Sequence, residues 1–432
     1  MGPSVPCVSR SSDDIPSSRT WRRDTTPVMT TSKPVRDSGR PLEALIDIAA
    51  LRRNYDILNA RGGSAVCVAV VKSDGYGHGL QGVVEALPAA RQFALATANE
   101  LDRLRPETLS GRSVLILEGL FDLGEPERVS RLGFAVEWVI HSHWQLDMLE
   151  SADMRSTVPI RVWVKINTGM NRLGFKPADI LPVFRRLGQL KSSVLLLGIA
   201  SHLACADTPE AVLNRQQFDC FDQTYDRLVR AGLDRICEEG RLRRSLLNSA
   251  GLLQFPERAH DQVRPGIAMY GALDSTLHQA HGLTPVMTLQ TKLIAIQHVR
   301  AGDRVGYGGD YVATSDQCIG IVAAGYGDGY PRQVSTRGEV GGQPPYVLVD
   351  GEPCALVGRC SMDMLTVDLG SSATCRFSAG DHVELWGQRL PVDLVASWAS
   401  TISYHLLTGV TQRVPRRYID HIHKVNQGAD EC

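Results

Sequence analysis

Between residues 65 and 248 the sequence repeats one pattern. A nearly unbroken apolar run of strand length gives way to a polar or glycine-rich junction, and often to a stretch with helical spacing. The apolar runs fall at 65–72, 93–97, 114–117, 134–140, 160–166, 195–201 and 245–248, and helical stretches such as 145–149, 180–187 and 211–228 lie between them. Repeated strand–helix units argue for a parallel sheet. This many units predicts an α/β fold of the (β/α)8-barrel kind, with an open parallel sheet as the alternative that periodicity leaves standing.

The two ends read differently. After about Thr284 helices become scarce, and short strand candidates at 288–298, 318–323, 346–349 and 364–367 are broken by Gly, Asp and Pro. That is the pattern of a mainly-β domain. Up to Arg40 the chain is rich in Ser, Thr, Arg and Pro with almost no apolar run, which predicts a disordered extension. The expected division is therefore extension 1–40, barrel 41–284 and β domain 285–425. Within the barrel segment, 44–48 is a short apolar run containing a possible helix cap, Asp47, and 51–58 has helical spacing.

Composition narrows the function classes. A net charge of -1 favours neither nucleic acid nor an anionic membrane as partner. No run approaches the ~18 apolar residues of a membrane span. The ten cysteines form no CxxC pair and no zinc spacing, so no metal is expected. Reduced thiols in a cytoplasmic enzyme are the simplest reading. The first 40 residues lack the apolar core of a secretory signal. Asp13, Asp14, Asp24 and Asp37 count against a transit peptide, and Pro6 stands where a myristoylation signal needs Ser or Thr.

Four groups of residues carry chemistry. Lys72 ends an apolar run and is followed by Ser73-Asp74-Gly75-Tyr76-Gly77-His78-Gly79. A strand end places a side chain at a barrel mouth, where such folds do catalysis. A lysine partly withdrawn from water has a lowered pKa and can form a Schiff base. In the second group Lys165 closes another apolar run, and Asn167-Thr168-Gly169-Met170-Asn171 leads to Arg172. An arginine there can grip a carboxylate with two parallel hydrogen bonds. The third group is Ser201-His202, Asn248-Ser249-Ala250-Gly251 and Arg264-Pro265-Gly266-Ile267. Its hydroxyl, amide and glycine-turn N–H groups suit a phosphate. The fourth lies in the β segment: Gly306-Tyr307-Gly308-Gly309, Gly325-Tyr326-Gly327 and Gly358-Arg359-Cys360-Ser361-Met362-Asp363. Taken singly, each has a plain structural reading: a lysine reaching water from a strand end, a surface turn, a structural histidine, aromatic residues at β-turns.

Together, in this order and at these separations, the segments resemble the alanine racemase family from about Leu42 to Tyr418. The resemblance implies a (β/α)8 barrel that binds pyridoxal 5'-phosphate (PLP), followed by a C-terminal mainly-β domain. It implies a homodimer with shared active sites and interconversion of L- and D-alanine. It makes Lys72 the lysine that carries PLP and one of two bases, with Tyr307, from the other subunit, as the second. Tyr76, Asn248, Ser249, Gly266 and Ile267 match the phosphate-binding positions. His202 matches the residue packed on the cofactor ring, and Arg264 the one facing the ring nitrogen. Lys165 matches a lysine that is often carbamylated. Arg172 matches its partner near the substrate carboxylate, and Met362 and Asp363 the substrate-binding loop. Tyr326, Arg332 and Arg359 fall in segments lining the access channel.

The sequence departs from the family in places. Asn167 stands where aspartate is usual, altering the charge near Lys165. Asp74-Gly75 replaces the usual pair before Tyr76, which predicts a looser turn. Gln412 takes a position where some members have a phosphate-binding tyrosine. Three rivals are a racemase of broader range, a PLP-barrel decarboxylase and a non-catalytic PLP-binding barrel. The broader racemases are usually exported, and no export signal is visible. Arg264 argues against the decarboxylase, which typically has an acidic residue by the ring nitrogen. The β segment with Tyr307 argues against a lone barrel.

Overall fold

The computed structural model describes residues 39–153, 157–190, 194–273, 279–336 and 343–420. The extension expected at 1–40 thus lies, but for Gly39 and Arg40, outside the described residues, as does everything past Asp420.

Eight parallel strands close into a barrel: β2 (Val66–Val70), β3 (Gln92–Leu95), β4 (Ser113–Ile116), β5 (Ala135–Ile140), β6 (Ile160–Lys165), β7 (Val194–Ala200), β8 (Arg243–Ser245) and β9 (Gln262–Val263). Val66 pairs with Gln262 and Cys67 with Val263, so the last strand meets the first. Six of these strands are apolar runs of the sequence, while β8 meets the run expected at 245–248 only at Ser245. The eighth, β9, is only two residues long and carries no run that would announce it. Preceding β2 is helix α1 (Ile48–Arg61); the outer layer continues with α2 (Leu80–Ala86), α3 (Glu125–Arg131), α4 (His143–Asp153), α5 (Ile180–Leu187), α6 (Val212–Arg230) and α7 (Ser249–Gln254). Asp47 caps α1, its carboxylate accepting from the Ala50 N–H at 2.9 Å, as the sequence proposed.

The remaining segment builds a second, mostly antiparallel sheet. Its strands are β10 (Met287–Val299), β13 (Gln317–Val322), β14 (Tyr346–Val349), β15 (Glu352–Ala355), β16 (Leu365–Ser371), β17 (His382–Trp386) and β18 (Arg416–Ile419). A small hairpin, β11 (Arg304–Val305) and β12 (Tyr311–Val312), stands apart. Strand β1 (Glu43–Asp47), which the sequence grouped with the barrel, pairs here instead: antiparallel to β10 and parallel to β18. Two helices, α8 (Val392–Trp398) and α9 (Ser403–Gly409), interrupt this β segment. One continuous apolar core runs through the barrel wall and this sheet. Among the described residues, no helix is long and apolar enough to cross a membrane.

Candidate active site

The C-terminal ends of the barrel strands surround a cavity of about 630 Å³. Lys72, Tyr76, Lys165, Arg172, His202, Asn248, Ser249, Arg264, Gly266 and Ile267 all line it. Ten residues from segments almost 200 positions apart in sequence thus converge, because parallel strands deliver their ends to one rim.

Lys72 follows β2 after one intervening residue. The chain then makes a left-handed turn, with φ of 54°, 59°, 62°, 51° and 80° at Ser73, Asp74, Gly75, Tyr76 and Gly77. L-residues resist this conformation by roughly 1–2 kcal/mol each, so fixed bonds must hold it. The Ser73 N–H donates to Glu100 Oε1 at 2.7 Å, and the Gly75 N–H to the Val71 carbonyl at 2.8 Å. Asp74 accepts from the Leu80 N–H at 2.9 Å and pairs with Arg103 at 2.8 Å. Asp74-Gly75, expected to loosen the turn, is therefore part of what fastens it. The turn aims Tyr76 at the cavity with its ring 4.9 Å from that of Tyr270.

A relay of buried polar groups positions Arg264. The Gln262 amide donates to Gln92 Oε1 at 2.8 Å, and the Ser245 hydroxyl donates to Gln262 Oε1 at 2.9 Å. Arg264 Nη1 donates to the same Ser245 hydroxyl, and Nη2 donates to the carbonyls of Ser201 at 2.5 Å and Leu246 at 3.3 Å. Opposite, the Ser249 hydroxyl accepts from the N–H groups of Gly266 at 2.8 Å and Ala268 at 3.3 Å. Gly266 has to be glycine, because a Cβ there would collide with the Tyr76 hydroxyl. Asn248 caps α7 by accepting from the Gly251 N–H at 2.9 Å, and its amide lies 3.4 Å from His202 Nε2. Asn167, replacing an expected aspartate, folds back on its own loop, accepting from the N–H groups of Gly169 and Asn171 at 3.1 and 3.0 Å. Its job is a turn rather than a charge.

The site is rich in cations. Burial, then the charges of Arg264, Arg172 and Lys72, push the Lys165 ammonium down to about 8. Burial and Arg172 lower that of Lys72, while Glu118 and Glu100 act the other way. His202 falls well below its ordinary value, chiefly by burial and then by Arg264 and Lys165, so its imidazole is neutral at physiological pH. Burial lowers Arg264 to about 10, which still leaves it charged. Among the described residues no cluster of His, Cys, Asp and Glu could hold a metal ion.

Tyr307, Met362 and Asp363 are not among the residues lining this cavity. Tyr307 sits on the turn of the β11–β12 hairpin and is 70% exposed. Glycines at positive φ on either side, Gly306 at 75° and Gly308 at 75°, shape that turn. An ion pair from Arg359 to Asp310, 2.5 Å, braces it. Sequence reasoning missed Glu118, although it closes the run 114–117 just as Lys72 closes its own. It also missed Tyr404, His405 and Thr408, which α9 presents to the cavity wall. Gln412 is not in that wall.

Comparison with known proteins agrees with this fold. Residues 46–274 match the alanine racemase N-terminal domain and residues 286–418 the alanine racemase C-terminal domain. The alanine racemase of Hahella chejuensis is 42% identical over 389 residues, 88% of this chain and 98% of that protein. The crystal structure of the biosynthetic alanine racemase from Pseudomonas aeruginosa superposes with a TM-score of 0.77 at 38% identity, covering 88% of this chain and 99% of that one. The alanine racemase of Bartonella henselae, solved with covalently bound pyridoxal phosphate, superposes at 0.75 with 25% identity over 88% of this chain and 99% of its own. With family models matched over residues 46–274 and 286–418, and a relative 42% identical over 98% of its own length, the chain belongs to the alanine racemase family.

Proposed function

We propose that this protein is a PLP-dependent alanine racemase that interconverts L- and D-alanine with two bases, Lys72 and Tyr307 of the partner subunit. The observation that carries the reading is the convergence of ten separately predicted residues on one cavity at a barrel mouth. The cavity fits the cofactor. Its volume of about 630 Å³ exceeds that of PLP. Tyr76, Asn248 and Ser249 offer hydroxyl and amide groups for a phosphate, and Gly266 lets the Tyr76 hydroxyl approach its backbone closely. Lys72 would hold the aldehyde, and Arg264 would face the ring nitrogen.

When bound, PLP supplies the electron sink that makes an α-proton removable. The chain's own residues do the rest. The lowered pKa of Lys72 favours a neutral amine, able to take or return the proton at the α-carbon. Arginine only donates hydrogen bonds, so Arg264 would keep the ring nitrogen unprotonated and weaken the sink, limiting side reactions. That buried cation also counts against a decarboxylase. Arg172 would take the substrate carboxylate. Inversion needs a second proton carrier on the opposite face, and the resemblance gives that role to Tyr307.

An exposed Tyr307, with Met362 53% and Tyr326 41% exposed, supports a homodimer in which these loops cover the partner's cavity. Carbamylation of Lys165 belongs to the same reading. Lys72, Lys165, Arg172 and Arg264 crowd together, and a carbamate would turn one cation into an anion among the rest. We place the enzyme in the cytoplasm, a compartment that keeps thiols such as Cys67 and Cys318 reduced.

The test is purified protein with PLP, offered a panel of L-amino acids and read by chiral separation. Alanine is expected to invert fastest. Lys72→Ala should cost at least ~10³-fold. Tyr307→Phe should abolish inversion both ways yet leave exchange of the D-alanine α-proton with solvent. Absence of alanine inversion by cofactor-loaded protein, or full activity in Lys72→Ala, would contradict the reading.

A further inference from the structure

Strands β1 and β18 run parallel, with Ala44 opposite Arg416. That register carries the residues just before each strand, Arg40 and Arg413, to the same end of the sheet. There both guanidinium groups meet the same two acids. Arg40 Nη2 lies 2.9 Å from Asp328 Oδ2, and Arg413 Nε 2.9 Å from Asp328 Oδ1. Arg413 Nη2 lies 2.6 Å from Asp363 Oδ1, and Arg40 Nη1 3.4 Å from the same oxygen. Arg40 Nη2 also donates to the Asp363 main-chain carbonyl at 2.7 Å. Asp328 is buried, so its two partners work where water screens them little.

The clamp grips two loops already fastened to each other. The Tyr326 N–H donates to the Ser361 carbonyl at 3.1 Å, and the Gly327 N–H to the Met362 carbonyl at 2.8 Å. Asp328 closes the first loop by accepting from the Gly325 N–H at 2.9 Å. Met362 itself stays out in solvent, held by its backbone and by its neighbour Asp363. Arg40 thus fixes the height of the Met362–Asp363 segment.

We infer that Arg40 is a positioning residue for substrate binding: with Arg413 it clamps Asp328 and Asp363, and so sets the loop that presents Met362 to the partner's cavity. The inference rests on the reading of Met362 and Asp363 as a substrate-binding loop. Removing the Arg40 side chain leaves Asp328 with one guanidinium and frees the Asp363 carbonyl. The loop then samples positions from which it no longer closes over alanine, weakening substrate affinity more than the proton transfers at Lys72.

Alanine KM and kcat, measured on cofactor-saturated full-length protein, decide it. Arg40→Ala should raise KM on the order of tenfold with kcat changed less than about threefold. Arg40→Lys, which keeps one charge pair but not the fork, should fall between wild type and Arg40→Ala. Met362→Ala should also raise KM. A role confined to stability would lower the yield of cofactor-binding protein and leave KM alone. If Met362→Ala raises KM and Arg40→Ala does not, the inference is wrong and the loop reading stands. If neither moves KM, the loop reading falls and takes the inference with it. Should Arg40→Ala fail to fold, Arg40→Lys decides: a raised KM supports the clamp and a wild-type KM overturns it.

Discussion

Lys165 has Lys72, Arg172 and Arg264 as neighbours, and its ammonium is pushed down to about 8. An unfolded lysine titrates near 10.4. Below about pH 8 both states hold the proton, and folding bears the full cost of burying it. Between about 8 and 10 the unfolded chain binds more protons than the folded one, so stability from this residue rises with pH. Unfolding by urea, in cofactor-free protein and CO2-free buffer, should therefore show wild type gaining on Lys165→Met from pH 8 to 9.5, by at most about 1.4 kcal/mol per pH unit. A difference that stays flat over this window would mean that Lys165 is not a compressed cation. At this scale the sequence was most legible where a charged side chain closes an apolar run, as at Lys72 and Lys165. Glu118 carries the same signal at 114–117, and only the folded cavity, where its charge acts on Lys72 and Lys165, reveals a reason for it. The Asn167 turn and the Asp74 tether were not legible, because each depends on which backbone N–H groups the folded loop leaves nearby.

The left-handed turn after β2 is the element on which the site depends most. It sets Tyr76 against Gly266, and its far end packs on α9, where a Cβ at Gly77 would run into the Leu407 carbonyl. Gly77 also sits at φ 80°, a conformation that costs any other residue. Gly77→Ala should lower stability by more than about 2 kcal/mol, read as a drop in the urea midpoint, and should weaken PLP binding in a fluorescence titration. Wild-type values for both would mean that the turn and α9 are not coupled. Elements built from long apolar runs were readable from sequence, and α5 was read at its observed bounds, Ile180–Leu187. What escaped was set by distant partners. Strand β9 has two residues and exists because β2 and β8 flank it. Strand β1 has the composition of a barrel strand, but its partners, β10 and β18, begin some 240 and 370 residues further along. Helices α8 and α9 are short and sit among Gly- and Ser-rich turns, so helical spacing had few residues in which to register.

At the scale of the molecule, the proposed reaction is divided between two surfaces. The barrel mouth holds Lys72 and the groups that fit a cofactor, while the β segment carries Tyr307 outward on a braced, glycine-shaped hairpin. If the protein is a symmetric dimer with shared sites, each subunit lends its Lys72 to one site and its Tyr307 to the other. Two inactive variants, Lys72→Ala and Tyr307→Phe, unfolded together and refolded, would pair by chance, so about half of the dimers would be mixed. One site of a mixed dimer carries both lesions and the other carries none. Alanine racemisation should therefore return to roughly a quarter of the wild-type rate, half of the sites in half of the dimers. If both bases came from one subunit, every site would keep a lesion. A mixture that stays inactive, although mass spectrometry finds mixed dimers in it, would contradict the shared site.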